Sequence, residues 1–213
     1  MTFRFRGTGS DRPYFDQGMI SEVRAYWEAL RREGDLPIRH QIQPRGISGA
    51  LENSFLIERI GHGIARFRIA GSVFHDLCGM DVRGMPVSCL FVGSSRDTLQ
   101  SRLEAVFDAP AILSLDLVGP AHFGRAALAA RMVFLPVSGQ SGLCDIGLGC
   151  IEVQGEPGSQ PTRFSIAESR LERLAMPERA HDLSFEPSPP LPQKDAPPRA
   201  KQGVPHLRLV YSA

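Results

Sequence analysis

Residues 55–91 read FLIERIGHGIARFRIAGSVFHDLCGMDVRGMPVSCLF, and the order of elements in this stretch decides the fold. Two short apolar runs, 55–60 and 64–70, flank Gly61-His62-Gly63, which reads as the turn of a β-hairpin. Side chains alternate across a strand, so the period of two places Arg66 and Arg68 on one face of the second strand and Phe67 and Ile69 on the other. Gly71 ends that strand, and 72–78 is long enough for two helical turns. Gly79, Gly84 and Pro86 then punctuate two further short turns.

Outward from this stretch the pattern continues. Ser94-Ser95-Arg96-Asp97 offers a helix start with a capping serine, and the helix runs to about Phe107 with Leu99, Leu103, Val106 and Phe107 on its apolar stripe. Three strands follow, at 112–118, 125–137 and 143–153, the last two joined by the loop 138–142. Short connections imply antiparallel pairing. On the N-terminal side, Ile20, Val23, Trp27 and Leu30 recur at helical spacing within 19–33, an amphipathic helix closed by Gly34 and Pro37. Pro44-Arg45-Gly46 breaks the chain before another short turn. Residues 1–17 read as a flexible arm. Beyond 154 the composition shifts: 166–174 is a helix candidate, 187–198 is too rich in proline to fold alone, and 206–211 forms a last apolar cluster that could dock as a strand or serve as a binding tag.

The order helix, two strands, short helices, longer helix, three strands is that of a PAS domain. Particular motifs narrow it: Phe67-Arg68-Ile69-Ala70-Gly71 at the exit of the second strand, the run Cys78-Gly79-Met80-Asp81-Val82-Arg83-Gly84-Met85-Pro86, and Pro44-Arg45-Gly46. In these the chain resembles the stand-alone PAS proteins of alphaproteobacteria. The resemblance implies an α+β PAS fold, a five-stranded antiparallel sheet with short helices on one face, preceded by an N-terminal amphipathic helix. The corresponding division is an arm at 1–17, a helical cap at 18–53, a PAS core at 54–155 and a proline-rich tail at 156–213. It implies a cytoplasmic, non-catalytic sensor that signals through a homodimer and an unidentified signalling partner, gated by a small apolar ligand. The alternative is a ligand-free adaptor that docks a partner.

On that fold the inner sheet face is expected to carry Phe55, Ile57, Phe67, Ile69, Leu113, Leu115, Met132, Phe134, Ile146 and Leu148, opposite Phe74, Leu77, Met80, Met85 and Leu90. A ligand pocket there is expected to involve Phe67, Ile69, Leu77, Met80, Arg83, Met85, Leu90, Leu115, Phe134 and Ile146, since methionine-rich walls repack around apolar molecules. A plain packed core uses the same residues. Arg83 suits a bidentate clamp on an anion, or equally a turn arginine bonded to backbone or to Glu58; Arg45 poses the same choice. Ile20, Val23, Trp27 and Leu30 are expected either to cover the outer sheet face or to form the dimer or partner interface, in which case Trp27→Ala weakens self-association.

Other chemistry finds little support in the residues. Cys78, Cys89, Cys144 and Cys150 lack CxxC spacing and read as buried reduced thiols, with no metal site. Cys89 stands in Val87-Ser88-Cys89-Leu90-Phe91, without the asparagine and the Arg-Phe-Leu-Gln run of flavin-binding light sensors. His75 and His122 are the haem candidates, but the stretch 95–108, where haem-binding PAS domains place the ligand, contains no histidine. Both patterns argue against flavin and haem and leave the cofactor unknown. No Ser-His-Asp order or paired carboxylates point to an enzyme. A formal net charge of +1 gives no electrostatic case for nucleic acid, and no run approaches the roughly 20 apolar residues of a membrane helix.

Overall fold

A computed structural model describes residues 18–120, 127–155 and 161–176. The expected arm at 1–17, His122, the proline-rich stretch and the terminal cluster at 206–211 lie outside the described residues.

Helix α1 (Gly18–Leu30) is followed by kinked helical turns over Pro44–Asn53, then strands β1 (Ser54–Gly61) and β2 (Ile64–Ala70). Helix α2 (Ser72–Cys78), a 3₁₀ turn at Val87–Leu90 and helix α3 (Gly93–Asp108) lead to β3 (Ala111–Val118), β4 (Ala129–Ser138), β5 (Cys144–Gln154) and β6 (Ser165–Arg173). The strands form one antiparallel sheet in the order β2-β1-β5-β4-β3-β6. The sheet therefore has six strands among the described residues, not five. The extra one is the segment expected to be a helix. It pairs with β3 from Ala111↔Arg173 to Val118↔Ser165, so a long-range ladder overrides the weak local helical pattern. As an edge strand it carries Glu168, Arg170, Glu172 and Arg173, charges that discourage further edge pairing.

Two apolar layers enclose the sheet. The inner one joins Phe55, Ile57, Phe67, Leu113, Leu115, Met132 and Phe134 to α2, the 3₁₀ turn and α3. The outer one joins Leu56, Ile112, Val133, Leu135, Val137, Leu148 and Cys150 to Val23 and Trp27 of α1. Trp27 is fully buried, and its indole N–H donates to the carbonyl of Pro136 at 2.8 Å. Glu22 accepts from the Gly49 amide at 3.0 Å, and the Tyr26 hydroxyl accepts from the Gln43 amide at 2.8 Å. The Tyr26 ring lies against Gly46, where a Cβ would come within 2.0 Å of it, which is the packing reason for glycine after Pro44-Arg45. Of the two roles open to α1, covering its own sheet is the one its buried stripe performs. Val23 and Trp27 thus face the sheet of their own chain, while Ile20 and Leu30 remain half-buried.

Four residues expected on the inner side lie elsewhere, Leu148 is a fifth, and each has a local cause. In the β1–β2 pair, Leu56 faces Ile69 but Ile57 faces Phe67, so a bulge at Arg68 takes up one residue. Phe67 stays inside, and Ile69 turns outward with 48% of its surface exposed. On β5 the apolar alternation is real but belongs to the other face: Ile146 and Leu148 join the outer layer. The inner positions are Gly147 and Gly149, and a Cβ on Gly149 would sit 2.1 Å from the Phe55 ring. Met80 and Arg83 are exposed beyond the end of α2, because Gly79, at φ 72°, ends that helix and turns the chain away. At the start of α3, the expected cap serine is replaced by Val92, with no side-chain cap, and Ser95 Oγ instead accepts from the Ile166 amide at 3.0 Å.

Candidate functional site

The inner face of the sheet is where five of the expected pocket residues meet. Phe67, Leu77, Leu90, Leu115 and Phe134 are all buried there, with Met85 packed at the margin. Their space is filled by rings. Phe55 stands edge-on to Phe67, Phe74 and Phe134 at centroid separations of 5.7, 5.3 and 5.3 Å, and Phe67 lies 5.4 Å from Phe74. Edge-to-face rings at this spacing are mutually attractive and close-packed. Gly149 makes this arrangement possible by leaving the sheet floor bare under Phe55.

The polar periphery is tied up in local pairs. Arg83 Nε donates to Asp81 Oδ2 at 2.7 Å on the surface, which holds the Asp81 carboxyl below the usual range. Arg83 is thus a turn arginine, bonded to Asp81 and not to Glu58. Glu58 lies on β1 between Arg66 and Arg68 of β2, at 3.1 and 2.5 Å, and its carboxyl is lowered by Arg68 first, against a partial offset from burial, and then by Arg66. Arg45 is exposed.

His62, Glu104 and Asp108 form a group with metal-ligand potential, which sequence spacing did not single out. Arg59 occupies its centre: it pairs with Glu104 and, at 2.9 Å, with Asp108. The second Glu104 oxygen accepts from the Gly63 amide, and His62 is 82% exposed. A guanidinium among the carboxylates supplies the positive charge a cation would bring, so the group acts as an ion-pair clasp between the β1–β2 hairpin and α3.

Open space lies outside the ring cluster. An apolar groove of about 280 Å³ runs on the outer face, lined by Ile42, Ile47, Leu51, Leu56, Ile69 and Leu148 among others. A second cavity of about 370 Å³ separates β2 from α3 and the 3₁₀ turn, between Ala65, Val87, Leu99 and Leu103. A third, of about 290 Å³ and more polar, lies beside the start of α1 next to Arg131, Glu152 and Arg170. Buried Glu152 accepts from the Ile20 amide at 2.9 Å and so anchors the first turn of α1 to β5. The groove owes its apolar wall to the bulge that exposes Ile69, a feature with no signature in the spacing of residues. Sequence spacing also missed that Cys78 and Cys89 come together, because their separation matches no thiol motif.

No helix among the described residues is long and apolar enough to cross a membrane. No curated protein and no solved structure matches the chain. A family model described as PAS domain matches residues 17–152, more than half of the chain and every strand from β1 to β4 with most of β5. PAS domains serve in sensing and signalling and commonly mediate protein–protein contacts and dimerisation. With its helix α1 laid over an antiparallel sheet whose other face is wrapped by short helices, the chain belongs to the PAS domain family.

Proposed function

We propose that this PAS domain is a non-catalytic signalling adaptor, working in the cytoplasm through a homodimer and a protein partner, with the centre of its inner face filled by its own side chains. The observation that carries the reading is the interlocked cluster of Phe55, Phe67, Phe74 and Phe134, which packs the middle of the inner face and leaves a cavity of about 370 Å³ to one side, between β2 and α3. Exposed apolar side chains along the β1–β2 ribbon, Ile60, Ile64 and Ile69 with neighbouring Leu51, supply surface for such contacts. Four free cysteines suit a reducing compartment. The non-catalytic part is supported by four of the buried polar residues: Ser54 donates to Ala50, Ser95 accepts from Ile166, and Glu104 and one oxygen of Glu152 hold backbone amides, while Glu152 Oε2 and Thr162 Oγ1 find no partner among the described residues.

A second reading, gating by a small apolar ligand, is favoured by the inner-side cavity of about 370 Å³ between Ala65, Val87, Leu99 and Leu103, and by the outer groove between Ile47, Leu56, Ile69 and Leu148. Native mass spectrometry of the full-length protein as purified separates the two. The expected result is a homodimer at polypeptide mass. A stoichiometric apolar adduct would replace the adaptor reading with the gated one, and a monomer at micromolar concentration would overturn the dimer.

A further inference from the structure

Cys78 is the last residue of α2, and Cys89 lies in the 3₁₀ turn Val87–Leu90. The segment leading into β6 brings the two together. The Thr162 amide donates to the Leu77 carbonyl at 2.7 Å, and the Phe164 amide donates to the Leu90 carbonyl at 2.8 Å. In an extended segment, alternate amides point the same way and lie about 6.6 Å apart. One edge of this segment therefore holds the backbone before Cys78 and the backbone after Cys89 side by side. The Val92 amide returns a bond to the Phe164 carbonyl at 3.0 Å and fixes the register. Both thiols are partly exposed, rest against the inner core, and are near enough to influence each other's ionisation.

The surroundings treat the two sulfurs differently. The contact with Cys78, followed by its own backbone and the charges of Arg163 and Arg96, holds the Cys89 thiol below its ordinary value despite partial burial. The same contact, with burial, pushes the Cys78 thiol up. Burial pushes Cys144 and Cys150 up to about 12, which leaves them little thiolate. A pair with one sulfur favoured as thiolate and the other held as thiol beside it has the arrangement of an attacking and a resolving cysteine.

We propose that Cys78 and Cys89 are a peroxide-oxidisable dithiol, a reversible disulfide site that ties α2 to the turn at Val87–Leu90. The Cys89 thiolate attacks one oxygen of hydrogen peroxide; an S–O bond forms, the O–O bond breaks, and the departing hydroxide takes up a proton to leave as water. The Cys78 sulfur then attacks Cys89, forming the S–S bond as the S–O bond breaks. Its proton leaves with the hydroxyl as a second water. Two thiols lose two electrons and one peroxide is reduced to two waters. The site stands whether or not the domain holds a ligand, since it requires only the wall of short helices and the segment behind it.

The test uses the full-length protein, reduced, treated with hydrogen peroxide, alkylated and digested without reductant. The expected product is an intramolecular Cys78–Cys89 peptide, lighter by two hydrogens and restored by dithiothreitol. Before oxidation, Cys89 is expected to be alkylated about tenfold or more faster than Cys144 in the native state. In Cys78→Ser, oxidation is expected to stop at a sulfenic acid on Cys89 that dimedone traps. Both thiols remaining alkylatable at peroxide levels that oxidise glutathione would overturn the proposal, as would a disulfide using Cys144 or Cys150, or one linking two chains. Should the variant fail to fold, mapping the wild-type protein decides alone.

Discussion

Replacing Trp27 with alanine tests whether α1 is part of the folded unit or an appendage. The indole is fully buried between α1 and the outer sheet face, among Val133, Leu135 and Val137 of the same layer. Truncating a buried tryptophan costs about 3–5 kcal/mol in lost transfer energy and cavity. Part of that figure is specific: the Pro136 carbonyl loses its 2.8 Å donor, and an unsatisfied buried acceptor costs about 1–3 kcal/mol. The Arg31 guanidinium, 5.2 Å from the ring centroid and largely shielded from solvent, adds about 1–2 kcal/mol. A loss near 4 kcal/mol is a large share of the roughly 5–15 kcal/mol that holds a domain folded. In urea, with a slope of about 2 kcal/mol per molar, it moves the midpoint down by about 2 M. Trp27→Phe keeps most of the apolar surface and removes the donor, so its shift is expected to be less than half as large. If Trp27→Ala moves the midpoint by under about 0.5 M, corresponding to less than about 1 kcal/mol, α1 does not seal the outer face as described. If stability is kept and only the dimer dissociates, the helix belongs to an interface, and the intramolecular assignment fails.

Gly149→Ala places a Cβ 2.1 Å from the Phe55 ring and 2.6 Å from the Val133 carbonyl, so overpacking should cost about 1–3 kcal/mol or more; a thermal shift below that of Gly147→Ala, whose Cβ comes nearest the flexible Ile57 side chain at 2.9 Å, would contradict the packed ring cluster. The Glu58 carboxyl has a lowered folded-state pKa, so its ion pairs stabilise the fold above the ordinary carboxylate range and that contribution is lost as pH falls through the lowered value. Glu58→Gln is therefore expected to be less stable than wild type by up to about 1 kcal/mol at pH 7 and equal to it in strong acid, with a smaller gap at high salt; a gap that stays constant with pH would refute the pairing.

The elements themselves were legible because each carries its own local period. Trp27 and Val23 announce the buried stripe of α1, Leu113, Leu115 and Leu117 announce β3, and Gly79 ends α2 where its positive φ requires. Five of the ten expected pocket residues do meet in one place: Phe67, Leu77, Leu90, Leu115 and Phe134. What periodicity could not say was whether that place would be hollow. Filling depends on Phe55 leaning over Gly149 from a neighbouring strand, a contact between residues distant in the chain.

Side-chain spacing, with glycine and proline within a few residues of one another, is enough to specify the helix, the β-hairpin, the short turns and their order. Which face each strand shows to the core is set by long-range packing, because a period of two names two faces without choosing between them. The bulge at Arg68 turned Ile69 outward, and the bare Gly147 and Gly149 gave β5's apolar face to α1. Tertiary pairing also made 165–173 a strand, its backbone groups finding partners on β3, and it set Cys78 beside Cys89 through amides of a segment far along the chain. Such long-range hydrogen bonds form only once the chain has closed on itself, so no local pattern records them.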